Sequence, residues 1–228
     1  GAMTGTPARA RERLTRDRVL TAAVDLADTH GLAAVSMRRL AAELGVVPMA
    51  LYKHVADKDE LVDGMLDRAL AEIEPTATDE GWRASVRGRV LAARVVQLRR
   101  PWLRRVLETR TSRTPTVLRY TDALIGLFRA GGFSDPLTHH VMHALGSRMW
   151  GFTQELFDDP DVPAEPIDPA AAAQLAQAFP NVFAVAMAAR HDDGSVVSYG
   201  CDDQFEFEFA LDLLLDGFVR LHEQGWQP

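Results

Sequence analysis

Residues 45–61 read GVVPMALYKHVADKDEL, and this stretch decides the fold of the first part of the chain. Gly45 is a typical helix stop, and Pro48 fits the first position of a new helix, where its missing amide costs nothing. In a helix that begins at Pro48, Leu51 and Val55 turn toward the preceding helices. The stretch therefore predicts a short helix that is anchored on one side and presented on the other.

The presented side carries groups that suit contact with DNA. It holds Met49, Ala50, Tyr52 and Lys53. Lys53 can bind a phosphate or the acceptors of guanine, Met49 and Ala50 can contact a thymine methyl group, and Tyr52 can hydrogen-bond a phosphate. For His54 two interpretations stay open, a phosphate contact next to Lys58 or a partly buried packing residue.

The flanking sequence supplies the helices that such a unit needs. A first helix of about four turns closes with His30 before Gly31, and Ser36 can cap a second helix that ends at Gly45. Asp57 can cap a fourth helix. Two short helices with a tight turn, braced by a longer one, are typical of a helix-turn-helix, whose second helix enters the major groove. A helical hairpin buried in a core is the alternative.

The charge of the chain is divided unevenly. The net charge is −7, but residues 1–58 carry +3 and residues 59–228 carry −10. Residues 8–18, ARARERLTRDR, suit an arm along DNA phosphates, with a frayed, solvated terminus as the alternative. The split favours a small module that binds a polyanion, attached to a larger module that does not.

Composition excludes several other classes of protein. The single cysteine, Cys201, excludes an internal disulfide framework and any zinc site that needs several thiolates, and it suits a reducing cytosol. Charges interrupt every apolar run before about 18 residues, and no secretory signal is evident. The sequence thus predicts a cytoplasmic protein that does not cross a membrane.

The remainder of the chain also has helical periodicity. The predicted helices run over residues 82–98, 102–109, 116–130, 136–157, 169–189 and 204–223. The sequence therefore predicts an all-α fold of about ten helices. Its predicted parts are a helix-turn-helix domain over 14–62 with a basic arm over 7–18, and a larger helical domain over 63–228.

Residues 14–65 resemble the DNA-binding domain of the tetracycline-repressor (TetR) family. The resemblance rests on Gly31, on the Ser36-Met37-Arg38 cap and on the segments LAAELGV (40–46), ALYKHV (50–55) and DKDEL (57–61). It covers about a quarter of the chain, and a weaker resemblance continues to the last helix. It implies a homodimeric transcriptional repressor that leaves a palindromic double-stranded operator when a small, largely apolar effector binds the larger domain.

The resemblance also implies roles for individual residues. Arg38 would contact a base or a phosphate, Arg16 would belong to the arm, and Pro48, Met49 and Ala50 would lie at base edges. Phosphates would be bound mostly by Tyr52, Lys53, His54 and Lys58. In the family, two helices of each subunit form a four-helix bundle, which corresponds here to residues 136–157 and 204–223. The last of these helices is apolar around much of its girth, so it needs cover, either from a second copy or from its own chain.

Bulky apolar residues of the larger part are candidates for the effector pocket. They are Trp82, Trp102, Leu103, Leu107, Phe128, Met149, Trp150, Phe152, Phe179 and Phe183. Core packing is the alternative for each of them, since cores and pockets share apolar linings. The tetracycline repressor binds magnesium-tetracycline through histidines, but Glu74 stands at the first of these positions and the VLETRTSRTP segment has none. We therefore expect a different effector and neither a metal nor a cofactor.

Two further clusters have less specific interpretations. His139, His140 and His143 include a pair one helical turn apart, a spacing that zinc sites use, although a surface or interface cluster is favoured. The arginines of QLRRPWLRRVLETRTSR favour a solvated face that pairs with the acidic residues of the same domain, with an anionic ligand group bound by one arginine as the alternative. No catalytic motif accompanies these clusters, so the chain is not expected to be an enzyme, and a helical enzyme, ligand-binding protein or adaptor remains the alternative.

Overall fold

The structure is a computed structural model that describes residues 12–74, 79–110, 114–149, 168–188 and 203–228. Within these ranges it contains eleven α-helices, one short 3-10 turn and no strand, so the predicted all-α fold is confirmed. The helices are α1 Arg16–His30, α2 Met37–Leu44, α3 Pro48–Leu51, α4 Lys58–Ala71, α5 Trp82–Arg99, α6 Trp102–Thr109, α7 Pro115–Ala130, α8 Asp135–Met149, α9 Pro169–Ala178, α10 Pro180–Ala188 and α11 Asp203–Glu223. None of these described helices combines the length and hydrophobicity that crossing a membrane requires.

The chain packs as two units, Gly1–Phe133 and Ser134–Pro228. In the first unit α4 packs against α1 on the N-terminal side of the chain and also against the later helices α5, α6 and α7. It therefore connects the helix-turn-helix with the helices that follow it. Its buried residues include Leu61, Met65 and Leu66, each at most 1% exposed. In the second unit α8 packs against α11, and α9 against α10. The predicted functional division at residues 62 and 63 stays a prediction.

The helix starts follow the predicted capping signals. The Ser36 hydroxyl accepts a hydrogen bond from the Arg39 amide at 3.1 Å, and the Asp57 carboxylate accepts one from the Glu60 amide at 2.8 Å. The Glu60 carboxylate in turn accepts a hydrogen bond from the Ala56 amide at 2.6 Å, so backbone amides before and within the first turn of α4 both have acceptors. These bonds fix where α2 and α4 begin, and with them the ends of the segment that holds α3.

Two predicted helices differ from the structure. The predicted helix over 169–189 is two helices, because Pro180 has no amide and disfavours helical backbone at Phe179, which has φ −134° and ψ 66°. The predicted helix over 136–157 is described as α8 up to Met149, and its remainder lies outside the described residues.

The arginines around α6 pair with carboxylates, but Asp28 and Asp59 belong to the predicted helix-turn-helix domain and not to the domain of the arginines. Arg99 pairs with Glu72, Arg100 with Asp28 and Glu72, Arg104 with Glu108, and Arg110 with Asp59 and Asp63. The prediction of a wholly solvated face is wrong for two of them, since the side chains of Arg100 and Arg110 are only 18% and 16% exposed.

Arg100 joins three helices. Its guanidinium pairs with Asp28 of α1 and with Glu72 at the end of α4, while it lies itself between α5 and α6. The Trp102 indole donates a hydrogen bond to the same Asp28 at 2.7 Å. Burial alone would lower the pKa of Arg100, but its hydrogen bonds and charge interactions with Glu72 and Asp28 outweigh that effect and raise the pKa. These contacts therefore hold the helix-turn-helix layer to the α5–α6 junction.

We expect Asp28→Ala to destabilise the protein. The substitution leaves Arg100 with one carboxylate and the Trp102 indole without its acceptor. Leaving such shielded donors unsatisfied costs about 1–3 kcal/mol, which guanidinium chloride unfolding measures. Asp25→Ala is the control, because Asp25 is an exposed residue of the same helix. Equal losses in the two variants would contradict the assigned role of Asp28.

Candidate nucleic-acid interface

A tight turn connects α2 to α3. Gly45 follows α2 in the left-handed region, with φ 65°, where a side chain would be strained. The Val46 amide then donates to the Ala41 carbonyl at 2.9 Å, and Val47 is extended before Pro48. The turn therefore brings α3 back against α2 within three residues, which is the geometry of a helix-turn-helix.

Two buried side chains anchor the recognition segment, which we define as residues 48–55. The helix proper ends at Leu51, and the His54 and Val55 amides both donate to the Leu51 carbonyl, at 2.9 and 3.0 Å. Leu51 is 0% exposed and Val55 is 1% exposed. The predicted inward side of this segment is therefore confirmed.

The opposite side of the recognition segment faces solvent. Met49 is 71% exposed and Tyr52 is 46% exposed, while Pro48 and Lys53 are exposed and Ala50 is half-buried. Four of the predicted DNA contacts are thus exposed side by side on the recognition segment, and their contact with DNA stays a prediction. His54 is half-buried, in agreement with the interpretation of a partly buried packing residue, and its phosphate contact stays a prediction.

Val47 belongs to the same surface and was missed by the sequence reasoning. It is 67% exposed although it is apolar. The signal was available, because a residue before proline is extended and its side chain does not follow the helix face. An exposed valine next to Met49 adds an apolar contact for base edges or thymine methyl groups.

Cationic groups surround this surface. Lys58 and Arg38 are exposed in the first turns of α4 and α2. Lys53 and Lys58 are the two lysines of the whole chain, and both therefore lie in or next to the recognition segment. The carboxylates of Asp57 and Glu60 accept backbone hydrogen bonds, and neither lysine forms an ion pair within the described part of the chain.

The described part of the basic arm folds back onto α1. Arg18 donates to the backbone carbonyls of Glu12 and Arg13, and Thr15 caps the helix by accepting from the Arg18 amide at 3.2 Å. Arg16 is exposed and begins α1. Residues 7–11 of the predicted arm lie outside the described residues. Arg18 thus fixes the course of the chain on which Arg13 and Arg16 are presented.

The predicted pocket residues fall into several environments. Trp82 packs on Phe128, with ring centroids 5.7 Å apart, whereas Trp102 is buried and bonded to Asp28. Leu103 is buried and Leu107 and Phe183 are half-buried, but Phe179 is 58% exposed. The side chain of Met149 is not described, and Trp150 and Phe152 lie outside the described residues. Only Trp82 and Phe128 are shown in mutual contact, and the pocket itself stays a prediction.

An open groove of about 710 Å³ lies elsewhere, beside the helix-turn-helix. It is lined by Glu12, Leu14, Arg18, Leu44, Gly45, Val46, Val47 and Ala50. None of the predicted pocket residues lines it. The groove borders the recognition segment, because Val47 and Ala50 line it.

The His139 ring of α8 makes edge-to-face contacts with the rings of His140 and His143. The ring centroids of His139 and His143 are 4.7 Å apart, and His140 lies 5.3 Å from the Trp226 ring. Within the described residues, no three His, Cys, Asp or Glu side chains are grouped so that they could hold a metal ion. The three histidines form an exposed cluster of edge-to-face rings, in line with the prediction of a surface or interface cluster.

Comparison with known proteins gives matches over both parts of the chain. The family model "Bacterial regulatory proteins, tetR family" matches residues 19–65, and "Tetracyclin repressor-like, C-terminal domain" matches residues 74–221. The repressor DrrR1 of Streptomyces coeruleorubidus is 42% identical over 125 residues, which cover 54% of this chain and 46% of that protein. The chain thus spans about half the length of that relative.

Two further relatives align over most of the chain. The HTH-type transcriptional repressor Rv1353c of Mycobacterium tuberculosis is 26% identical over 95% of this chain and 85% of its own length. The crystal structure of ActR from Streptomyces coelicolor in complex with actinorhodin superposes with a TM-score of 0.73. It is 26% identical and covers 94% of this chain and 100% of that one.

We expect Lys53→Ala to weaken DNA binding and to reduce its dependence on salt. Removal of one phosphate contact lowers the slope of log K against log salt by about one. Titration of a DNA fragment at several salt concentrations measures the slope, and Lys58→Ala should behave alike. Arg119→Ala is the control, since it removes an exposed positive charge on α7. A slope that stays the same in both lysine variants would remove these residues from the phosphate contacts.

Proposed function

The chain belongs to the tetR family of bacterial regulatory proteins, and on this premise we propose that it is a ligand-responsive, homodimeric, DNA-binding transcriptional repressor. One observation carries the proposal. Met49, Tyr52 and Lys53 are exposed on the recognition segment, which Leu51 and Val55 hold in the core. A surface that is apolar at the centre and cationic at its edge suits the major groove with its flanking phosphates.

The proposed effector is a small molecule. DrrR1 and Rv1353c are named transcriptional repressors, and the ActR crystal structure contains actinorhodin. These proteins support a regulator that responds to an organic ligand, with no enzyme activity of its own. For this chain, the absence of enzyme activity stays a prediction.

The proposed coupling runs from α6 to α4. The residues that flank α6 pair with carboxylates at the two ends of α4. Arg110 pairs with Asp59 and Asp63 near the start of α4, and Arg100 pairs with Glu72 at its end. Between them, the Thr114 hydroxyl donates to Asp67 at 2.6 Å. A ligand that displaces α6 would therefore move α4, and with it the spacing of two recognition segments in a dimer.

The proposed dimer uses the outer side of α11. Phe207, Leu211 and Leu215 of this helix are at most 4% exposed, in the unit where α11 packs against α8. A second apolar stripe, with members four residues apart, consists of Phe205, Phe209 and Leu213, which are 54%, 54% and 58% exposed. Operators with two-fold symmetry require a two-fold dimer, so a second copy of the chain is the proposed cover for this stripe.

We expect Leu213→Glu to weaken the dimer. A charge at the centre of an apolar interface should raise the dimer dissociation constant at least about 30-fold, which corresponds to about 2 kcal/mol. Sedimentation equilibrium measures this constant. Leu175→Glu is the control, because Leu175 is a 41% exposed leucine of α9. An unchanged constant in Leu213→Glu would place the interface elsewhere.

The whole proposal is tested by footprinting the purified protein on DNA that flanks its own gene. We expect protection of two half-sites whose centres are separated by one helical turn or a multiple of it, about 10 base pairs or 20. The double variant Met49→Ala, Lys53→Ala should lose the protection while it keeps the wild-type circular dichroism spectrum. Protection that this variant retains would rule out the recognition segment as the reader, and binding that ignores sequence would contradict the proposed function.

A further inference from the structure

Arg89 lies on the buried face of α5. It follows Val86 by three residues and precedes Ala93 by four, and both of these neighbours are 0% exposed. Residues at these spacings share one side of a helix, and α5 packs against α7. The Arg89 Nε atom is buried and has no hydrogen-bond partner.

The only contact shown for the Arg89 guanidinium among the described residues is aromatic. Its central carbon lies 5.0 Å from the centroid of the Tyr120 ring on α7. Burial raises the pKa of Tyr120 to about 12, although the charge of Arg89 lowers it, so the phenol stays neutral and does not balance that charge. By comparison, Arg100 and Arg110 of the same unit each pair with two carboxylates.

Such an arrangement is costly unless an anion completes it. The buried Nε atom loses hydration without gaining a hydrogen-bond partner, and a cation–π contact of about 0.5–2 kcal/mol compensates only part of that loss. A carboxylate can accept two parallel N–H hydrogen bonds from the planar guanidinium. An unsatisfied buried donor in a native structure calls for an explanation, and a ligand that arrives transiently supplies one.

The surroundings of Arg89 are aromatic. Trp82 precedes Arg89 by seven residues, two turns along the same side of α5. Trp82 contacts Phe128, which follows Tyr120 by eight residues on α7, and it contacts Phe133 at 4.7 Å between ring centroids. Of these rings, those of Phe128 and Phe133 are buried in the core, whereas those of Trp82 and Tyr120 are half-buried.

We propose that Arg89 and Tyr120 form an anion subsite of the effector site, and that the effector is an aromatic molecule with a carboxylate. Arg89 binds the carboxylate, and the half-buried rings of Trp82 and Tyr120 contact the aromatic part. This inference rests on the proposed function, because it specifies the ligand of that regulator.

The experiment compares 2-naphthoate with 2-naphthamide, which has the same rings and no charge. Each is titrated into the purified full chain without DNA, and binding is measured by calorimetry and by the shift of the unfolding temperature. We expect the wild type to bind the carboxylate at least about tenfold more tightly than the amide. Arg89→Met should abolish this preference and leave amide binding unchanged. Arg119→Met, at an exposed site on α7, is the matched control and should retain the preference.

Two results would overturn the subsite. One is a wild type that shows no preference for 2-naphthoate, including the case in which neither compound binds. The other is a preference that survives in Arg89→Met. Without ligand, Arg89→Met should unfold at or above the wild-type temperature, and a lower temperature would make Arg89 a structural residue stabilised by Tyr120 instead.

Arg89→Lys carries the test if the methionine variant does not fold. Lysine keeps the charge but cannot form the two parallel hydrogen bonds, so we expect a reduced preference for the carboxylate, and an unchanged one would contradict the subsite. Because none of these measurements involves DNA, a failure to footprint an operator overturns the proposed function alone. An intact footprint from a wild type that shows no carboxylate preference overturns the subsite alone.

Discussion

The position of the recognition segment depends on how Arg100 is neutralised. A guanidinium held between α1, α4 and α6 needs carboxylates within reach, and Asp28 and Glu72 supply them from two different helices. Because the charge is largely shielded from solvent, these partners cannot be exchanged for water without cost. The angle between α1 and α4 is therefore tied to the α5–α6 junction, and the short α3 takes its direction from the two helices that precede it. A displacement of α6 would therefore also affect α1 and α4 through Arg100.

Local chemistry made much of the fold predictable. Ser36, Gly45, Pro48 and Asp57 act on backbone groups within three or four residues of themselves, so the sequence contains all that decides their roles. The period of the apolar residues predicted which side of the recognition segment is buried. The break between α9 and α10 was missed although Pro180 marked it, because the helix propensity of the alanine-rich stretch was given more weight than the proline.

Contacts between distant residues were not predictable in the same way. Asp28 and Trp102 are 74 positions apart, and nothing near either residue specifies the other. The arginines before and within α6 were correctly expected to meet acidic residues, but the sequence could not say that Arg100 and Arg110 would be shielded while Arg99 stays exposed. For the same reason the environment of Arg89 was not predictable, since Tyr120, which contacts its guanidinium, lies 31 positions further along the chain. Packing decides the role of such residues, whereas spacing decides the role of a cap.

The placement of both lysines beside the recognition segment has a chemical consequence. Primary amines on side chains are available in this chain only at Lys53 and Lys58. A reagent that acylates amines would therefore modify side chains of this protein only in the recognition segment and at the start of α4. Acylation removes the positive charge that attracts phosphates. The abundant arginines keep their charge under the same treatment. The rest of the surface would therefore be electrostatically unchanged, while Lys53 and Lys58 lose their positive charges.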